Sequence, residues 1–304
     1  MGRDRKEEII LVSKKIRFKA IKEVLDDDPK LNVRSLCKML KVSRSGYYRY
    51  LSAPKSNRCL ENEGLSEIIK KEFHALKGIY GARRIKILIE RKYGKRCNLK
   101  RIKRLMRKLG LAASIRRKRK GCTKPGYSNY EENILDRDFT AKAPNQKWVT
   151  DVTYLEYGSA QKAYLSAVKD LYDGYIVSFE IDKHNDNPLV MRTLKKAFKT
   201  LNGDDDELLL HSDRGAQYTS KEYVRLTTEY AVRQSMSRVA KSLDNAPMES
   251  FWSHFKVECY SWKKYKTYEE LIEDINDYIK FYNTQRYQTK LNSLTPEEYR
   301  NQAA

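Results

Sequence analysis

The stretch WVTDVTYLEY, Trp148 to Tyr157, decides how this chain is read. It alternates and is rich in β-branched and aromatic residues, the grammar of a half-buried strand. Asp151 stands in its middle, between Thr150 and Val152. Downstream, QKAYLSAVKDLY and YIVSFEID read as two more strands separated by a turn at Asp173-Gly174, so the three form an antiparallel meander. The pattern then changes to helix (Pro188 to Leu201), strand (Leu208 to His211), helix (Lys221 to Tyr230), strand (Val232 to Met236) and two helices (Leu243 to Tyr260, Tyr268 to Tyr282).

Three antiparallel strands followed by alternating helices and strands is the order of an RNase H-like α/β domain. In that order the first and fourth strands are neighbours. The fourth strand runs into HSDRGAQY, His211 to Tyr218, and so delivers Asp213 one step before Arg214 and Gly215. A third acid, Glu249, lies in DNAPMESFWSHFKVE on the helix after the fifth strand. Singly, each has an ordinary reading: Asp151 bonded to turn amides, Asp213 a turn-former with Gly215, Glu249 a solvated helix residue. Together they fall in the order a metal cluster needs. Clustered carboxylates repel and their pKa values rise unless a cation lies among them. Two Mg²⁺ about 3.5 to 4 Å apart, held by oxygen ligands, activate an attacking oxygen and steady the leaving one in a phosphodiester displacement.

The helix carrying Glu249 provides an internal check. With Asp244 as its cap, Pro247 falls in the first turn, where proline is tolerated. Met248, Phe251, Trp252 and Phe255 then make an apolar face, while Asn245, Glu249, Ser253 and Lys256 share another. Glu249 and Lys256 look the same way, about 10 Å apart at about 1.5 Å per residue, too far for a simple intrahelical ion pair.

Working toward the N-terminus, the charge becomes lopsided. Residues 1 to 145 hold 40 Lys and Arg against 16 Asp and Glu, a net of +24, while residues 146 to 304 hold 22 against 24, a net of −2. A basic half joined to a near-neutral half fits a polyanion-gripping module attached to a working domain, since each cation that neutralises a phosphate releases a counterion. Residues 7 to 26 read as one helix with an apolar stripe, able to act as an assembly element. NVRSLCKMLKVSRSGYYRYL, Asn32 to Leu51, reads as two short helices capped by Asn32 and Ser43, resembling a helix-turn-helix whose second helix presents Arg44 to DNA. An ordinary helical hairpin is the competing reading.

After a polar linker at Ser52 to Asn62, a helix through Leu65 to Phe73 and the runs GARRIKILIERKYG and NLKRIKRLMRKLGL form a second three-helix unit, with Arg83, Arg84, Arg104 and Arg107 among its polar-face cations. IRRKRKG, with Arg116, Arg117, Lys118, Arg119 and Lys120, opens a basic linker from Ile115 to Pro144 that tracks a phosphate backbone. The expected divisions are therefore 1–54, 62–112, 113–145 and 146–304.

The 304 residues suffice for two or three domains of roughly 100 to 200 residues each. Five cysteines, at 37, 59, 97, 122 and 259, contain no CxxC pair, so neither a disulfide framework nor a clustered zinc site is indicated. No apolar run of about 18 residues and no signal-peptide pattern occurs, which leads to the expectation of a cytoplasmic, nucleoid-associated protein with no membrane partner.

The intervals now carry a resemblance. Asp213 and Glu249 have 35 residues between them, and Lys256 follows, as in the signature of DDE transposases and retroviral integrases. WVTDVTY, HSDRGAQY, SLDNAPMESFWSHFKVE and YNTQRYQTKLNSLTPEEY, with SLCKMLKVSRSGYYRYL and YGARRIKILI, resemble the second-frame product, OrfB, of bacterial insertion sequences of the IS-three type, over nearly the whole chain. The resemblance implies that Asp151, Asp213 and Glu249 bind two Mg²⁺, with Mn²⁺ a possible substitute, and that Lys256 contacts DNA; Asn245, on the same helix face, is expected as a further DNA contact. It implies double-stranded DNA partners (terminal inverted repeats and target), at least a homodimer for synapsis, and a possible upstream-frame OrfA partner. It implies a retroviral integrase-type core in which water cleaves the element end and the freed 3′-OH attacks a second phosphodiester, by a figure-eight and circle copy-out paste-in pathway. A structure-selective nuclease and a DNA-binding repressor with a silent core are the alternatives. Two positions depart from the family pattern, Ala240 where glycine is common and Gln288 where histidine is frequent; the retroviral zinc-binding module is also missing, since His74 is the one histidine before residue 145. His211, Gln217 and Gln288 have no role assigned from sequence.

Overall fold

A computed structural model describes residues 12–54, 56–113, 132–201, 208–238 and 242–303. They fall into two units, 1–67 and 68–304, with the boundary inside one helix. In the first unit, α1 (Lys14–Asp27), α2 (Val33–Met39) and α3 (Arg44–Ser52) surround Ile21, Cys37 and Tyr47. Residues 7–11 and Ala240 lie outside the described residues. Both expected caps are present: Asn32 accepts from the Arg34 amide and Ser43 from the Gly46 amide. Lys41 turns left-handed with φ 50°, which stops α2 and starts the short connection of a helix-turn-helix. Gly46 suits the close approach of α1 to α3, because a Cβ there would come 2.8 Å from the capping Ser43 Oγ and 3.0 Å from the Phe18 ring.

The polar linker expected at Ser52 to Asn62 is shorter than its composition suggests, because α4 (Asn57–Ala75) already starts at Asn57. In the second unit the end of α4 joins α5 (Ala82–Tyr93) and α6 (Leu99–Lys108), burying Ile69, Phe73, Ile85, Ile89, Ile102 and Leu105. Glu72 is buried among them and accepts from Lys92 Nζ (2.8 Å) and the Tyr93 hydroxyl (2.5 Å), which holds its carboxyl below the usual range despite burial.

The same unit contains a five-stranded sheet in the order β3-β2-β1-β4-β5. Its strands are β1 (Lys147–Tyr157), β2 (Gln161–Asp170), β3 (Ile176–Asp182), β4 (Leu209–Ser212) and β5 (Arg233–Met236). β1, β2 and β3 form the expected meander, turned by Gly174 at φ 73°, and β4 joins β1 in parallel. One face packs on α7 (Asn187–Phe198) and α8 (Lys221–Glu229) through Trp148, Val190, Leu194, Phe198 and Tyr223. The other packs on α9 (Ala246–Glu258) and α10 (Tyr268–Thr284) through Val149, Phe251, Phe255, Ile275 and Ile279. This is a three-layer α/β arrangement with the strand order of the RNase H-like fold.

Two expectations change. The linker expected to reach Pro144 ends earlier, because residues 132–144 lie on the core: Leu135 is 2% exposed, its amide donates to Ser235 Oγ, and Arg137 pairs with Asp244. Asp244 does not cap α9. Its buried carboxylate accepts from Asn133, Arg137 and Arg238, which hold it far below the usual range, and the N-cap position falls to Asn245. Burying a carboxylate among three donors satisfies its charge better than helix amides alone.

The second helical hairpin is fastened to the C-terminal helices. Tyr80 is fully buried; its hydroxyl donates to the Gln285 carbonyl (2.6 Å) and accepts from the Tyr287 amide (3.1 Å). Arg91 makes a two-toothed pair with Glu298 (2.7 and 2.8 Å) and stacks over Tyr287, and α11 (Pro296–Arg300) is held by a complete capping box at Thr295 and Glu298. YGARR and YNTQRYQ, far apart in sequence, therefore face each other.

Candidate active site and nucleic-acid interface

The parallel pairing of β1 and β4 sets the first two acids side by side. Val149 is level with His211, and continuing that register two residues brings Asp151 level with Asp213, on strands about 4.8 Å apart. The β4 side of this register is locked by His211, which is fully buried with its two ring nitrogens at 2.9 and 3.0 Å from Ser235 Oγ and Ser237 Oγ. Burial pushes its pKa down to about 4, so it is a neutral spacer between β4 and β5. Arg214 Nε donates to the Ser237 carbonyl and Gln217 to Asn185 Oδ1, holding the loop after Asp213. Gly215 donates its amide to Asp213 Oδ1 at 2.9 Å, so Asp213 is both turn-former and convergent acid.

The helix α9 is latched to β1 beside these acids. Asn245 Nδ2 donates to the Thr150 carbonyl (3.0 Å), and Trp252 Nε1 donates to Asp151 Oδ2 (2.9 Å). Glu249 lies on the exposed side of α9 between those two latches, while Met248, Phe251, Trp252 and Phe255 are buried as the helix periodicity predicts. Burial, then the charge of Asp213, raises the Asp151 carboxyl to about 7 against the indole and the Val152 amide; Glu249 adds to the rise. Burial also raises Asp213, with the Gly215 amide opposing. The three acids are thus electrostatic neighbours, all oxygen donors, whose mutual repulsion a hard divalent cation would relieve. Among the described residues no three His, Cys, Asp or Glu side chains close into a ready-made metal shell, so the acids share a region without forming a cage.

The expected DNA contacts separate by environment. Arg44 is exposed at the start of α3, beside exposed Ser45, Tyr48 and Arg49. On α6, Lys100, Lys103, Arg104, Arg107 and Lys108 are exposed on one face while Ile102, Leu105 and Met106 are buried on the other, and Arg83 is exposed on α5. Arg84 is different: its guanidinium pairs with Glu258 (3.1 Å) inside the unit. Asn245, 6% exposed, is engaged by the β1 backbone. Lys256 is half-buried with its ammonium 5.5 Å from the centre of the Tyr154 ring. Arg116, Arg117, Lys118, Arg119 and Lys120 lie outside the described residues. Trp252 and Tyr218, whose hydroxyl lies 3.3 Å from Thr150 Oγ1, were not singled out from sequence. The available signal was chemical: a buried indole N–H or phenol normally finds a polar partner.

The α/β order, the parallel pairing of β1 with β4 that leads into Asp151 and Asp213, and the helix bearing Glu249 define a protein of the integrase-core class. An integrase core domain matches residues 141–242 and again 249–303, and an HTH-like domain matches residues 60–119, spanning α4 to α6. The chain is 37% identical over 269 residues to the putative transposase InsK for insertion sequence element IS150 of Escherichia coli (strain K12), covering 88% of this chain and 93% of that one. It is 29% identical over 274 residues to the transposase InsF for insertion sequence IS3A of the same organism, covering 89% and 94%. The HTLV-2 integrase catalytic core domain in complex with magnesium aligns with a TM-score of 0.39 and 19% identity, over 52% of this chain and 98% of that one. The chain belongs to the insertion-sequence transposases with an integrase core, of the IS150 and IS3 kind. It is a DDE-type transposase, an enzyme of DNA transposition, and its integrase core implies dependence on a divalent metal. No helix among the described residues is long and apolar enough to cross a membrane.

Proposed function

We propose that Asp151, Asp213 and Glu249 together hold two Mg²⁺, replaceable by Mn²⁺, and carry end cleavage and strand transfer at one site. The observation that carries this reading is that β1 and β4 pair in parallel up to Val149 and His211, two residues before Asp151 and Asp213, beside a helix that brings Glu249 close enough to raise the Asp151 pKa. Two bound ions would supply activation of the attacking oxygen and neutralisation of the leaving one. The protein's part is to hold the acids and the DNA. Trp252 orients Asp151, the Gly215 amide orients Asp213, and Asn245 ties the start of α9 to β1 so that Glu249 approaches along the open side. Lys256, two turns along α9 from Glu249, would meet a neighbouring phosphate.

In this reading the faces carrying Arg44 on α3 and Lys103, Arg104 and Arg107 on α6 bind double-stranded DNA at the element ends, as two modules ahead of the core, with Arg83 and the basic run 116–120 along the backbone. Because two ends must be joined, the working form is at least a dimer, with an upstream-frame OrfA protein as a further partner. The reaction frees a 3′-OH that attacks beside the other end, giving a figure-eight and then a circle.

The test is a purified assay with Mg²⁺ on labelled element-end DNA. The native chain should give 3′-end cleavage and joined products, and Asp213→Asn should lose both by at least about a thousandfold, as expected when a group acting on the transition state is removed. Intact joining by Asp213→Asn would sink the assignment, and cleavage without any joining would favour the structure-selective nuclease.

A further inference from the structure

Beside α9, on the flank that bears Ser250 and His254, the second unit contains a cleft of about 280 Å³ that the reaction described above does not use. Its floor is formed by Lys169 and Arg286, 6% and 2% exposed, and its rim by Ser250, His254 and Lys290, all exposed, with Arg84 closing one side. Four of these six side chains are cationic. A single carboxylate, Glu258, serves two of them, accepting from Arg84 (3.1 Å) and from Arg286 (2.7 and 2.8 Å). The other nearby acid, Asp173, is occupied by Arg300 at 2.6 Å. Lys169 Nζ donates to the Pro247 carbonyl (3.1 Å) and faces the Phe251 ring, and among the described residues no carboxylate lies within ion-pairing distance of it. Gln288, also on the wall, has its Nε2 buried near the Tyr282 hydroxyl without a well-aligned acceptor.

Buried positive charge in excess of its counter-charge is costly, and so is a buried amide donor without a well-aligned acceptor. Both costs fall if an anion enters. Burial lowers Lys169 to about 8, and the nearby Arg286 charge lowers it further against Asp173.

We infer that this cleft binds a phosphate group. Its position suggests whose. Lys169 pairs with Val149 across β1 and β2, and Asp151 with Ala167, so Lys169 and Asp151 face the same side of the sheet two residues apart along the strands, about 7 Å. Ser250 and His254 are turned about 100° and 140° around α9 from Glu249. A phosphate held here lies across α9 from the third acid and on the sheet face of Asp151, where the backbone of a bound strand that continues past the acids would pass. That choice of source rests on the transposase reading, whereas the phosphate site itself does not.

The test uses the full metal-free chain at constant ionic strength, with melting temperature as the readout. The probes are inorganic phosphate, the dinucleotide TpT and the uncharged methylphosphonate analogue of TpT. At saturation the occupied site should raise the melting temperature by about 3 °C, and both Lys169→Met and Lys290→Gln should remove the shift. Lys290 is on the exposed rim, so its variant keeps the test valid if the buried one misfolds. A shift with TpT and none with its methylphosphonate assigns the site to a backbone phosphodiester, and a shift with inorganic phosphate alone assigns it to the free ion. No shift with either charged probe, or an equal shift in native and variant chains, overturns the inference; the latter is the general stabilisation that excluded salts produce. Asp213→Asn should retain the shift whatever it does to joining, which separates failure of this site from failure of the catalytic reading.

Discussion

Trp252 Nε1 donates to Asp151 Oδ2 at 2.9 Å, joining the helix that bears Glu249 to the strand that bears the first acid. Helix periodicity accounts for the ring's burial, and the N–H adds aim. Trp252→Phe keeps most of the packing and removes the donor, leaving one carboxylate oxygen without its partner. The expected outcome is a fall in joining rate of about tenfold to a hundredfold with the fold retained, the scale of losing a partner that orients a metal-binding group. A variant with the native joining rate would show that the bond does not position the acid.

The raised pKa of Asp151 makes a second expectation, on stability. Its carboxyl moves from 3.8 up to about 7, through burial first and Asp213 second. An acid whose pKa is higher in the folded chain binds its proton more tightly there, so this group stabilises the fold at low pH and that stability is lost as pH rises from about 4 to about 7. Asp151→Asn, which has no charge to form, should melt roughly 5 °C above the native metal-free chain at pH 8 and at the same temperature near pH 4, while losing catalysis. Parallel melting curves for the two proteins across this range would contradict it.

The two strands that lead into Asp151 and Asp213 and the helix after them were legible because each has strong periodicity and because strand order alone makes β1 and β4 neighbours. The same holds for the caps at Asn32 and Ser43, where the signal is local. What was not legible depends on which donor meets which acceptor across the chain. Asp244 has the position and chemistry of a helix cap, yet Arg238 and Arg137 reach it first. Arg84 has the same chemistry as Arg83 one residue before it, and only the 100° turn between them points one at solvent and the other at Glu258. His211 has no role legible in HSDRG, and two serines on and after β5 make it a spacer. Composition cannot assign such partners, because they belong to residues far away in sequence.

The contrast on the helical hairpin gives a binding experiment. Arg104 and Arg107 are exposed on the cationic face of α6, whereas Arg84 is paired with Glu258. If the exposed face binds DNA, Arg104→Ala and Arg107→Ala should each lower the slope of log affinity against log salt by about 0.9, one phosphate contact apiece. Arg84→Ala should leave the slope unchanged and instead reduce stability by about 1–3 kcal/mol, since it takes one of the partners from a buried carboxylate. Titrations at several salt concentrations, with denaturation of the same proteins, measure both. Equal slopes in all three variants and the native chain would remove α6 from the interface.

Asn245 allows a sharper separation of roles. Its place on the helix face of Glu249 and Lys256 puts it among the expected DNA contacts, but its side chain is 6% exposed and its amide donates to the Thr150 carbonyl one residue before Asp151. Asn245→Ala therefore exposes no phosphate and strands a buried carbonyl, a cost of about 1–3 kcal/mol. It also frees the start of α9 from β1, so Glu249 loses its fixed approach to Asp151. The expected result is a lower melting temperature and a joining rate reduced more than tenfold, with DNA affinity and its salt slope unchanged. Asn245→Asp, which cannot donate and sets a second charge beside Asp151, should be worse than alanine in joining. Were Asn245 a DNA contact instead, alanine would weaken binding and spare stability, the reverse pattern in both measurements.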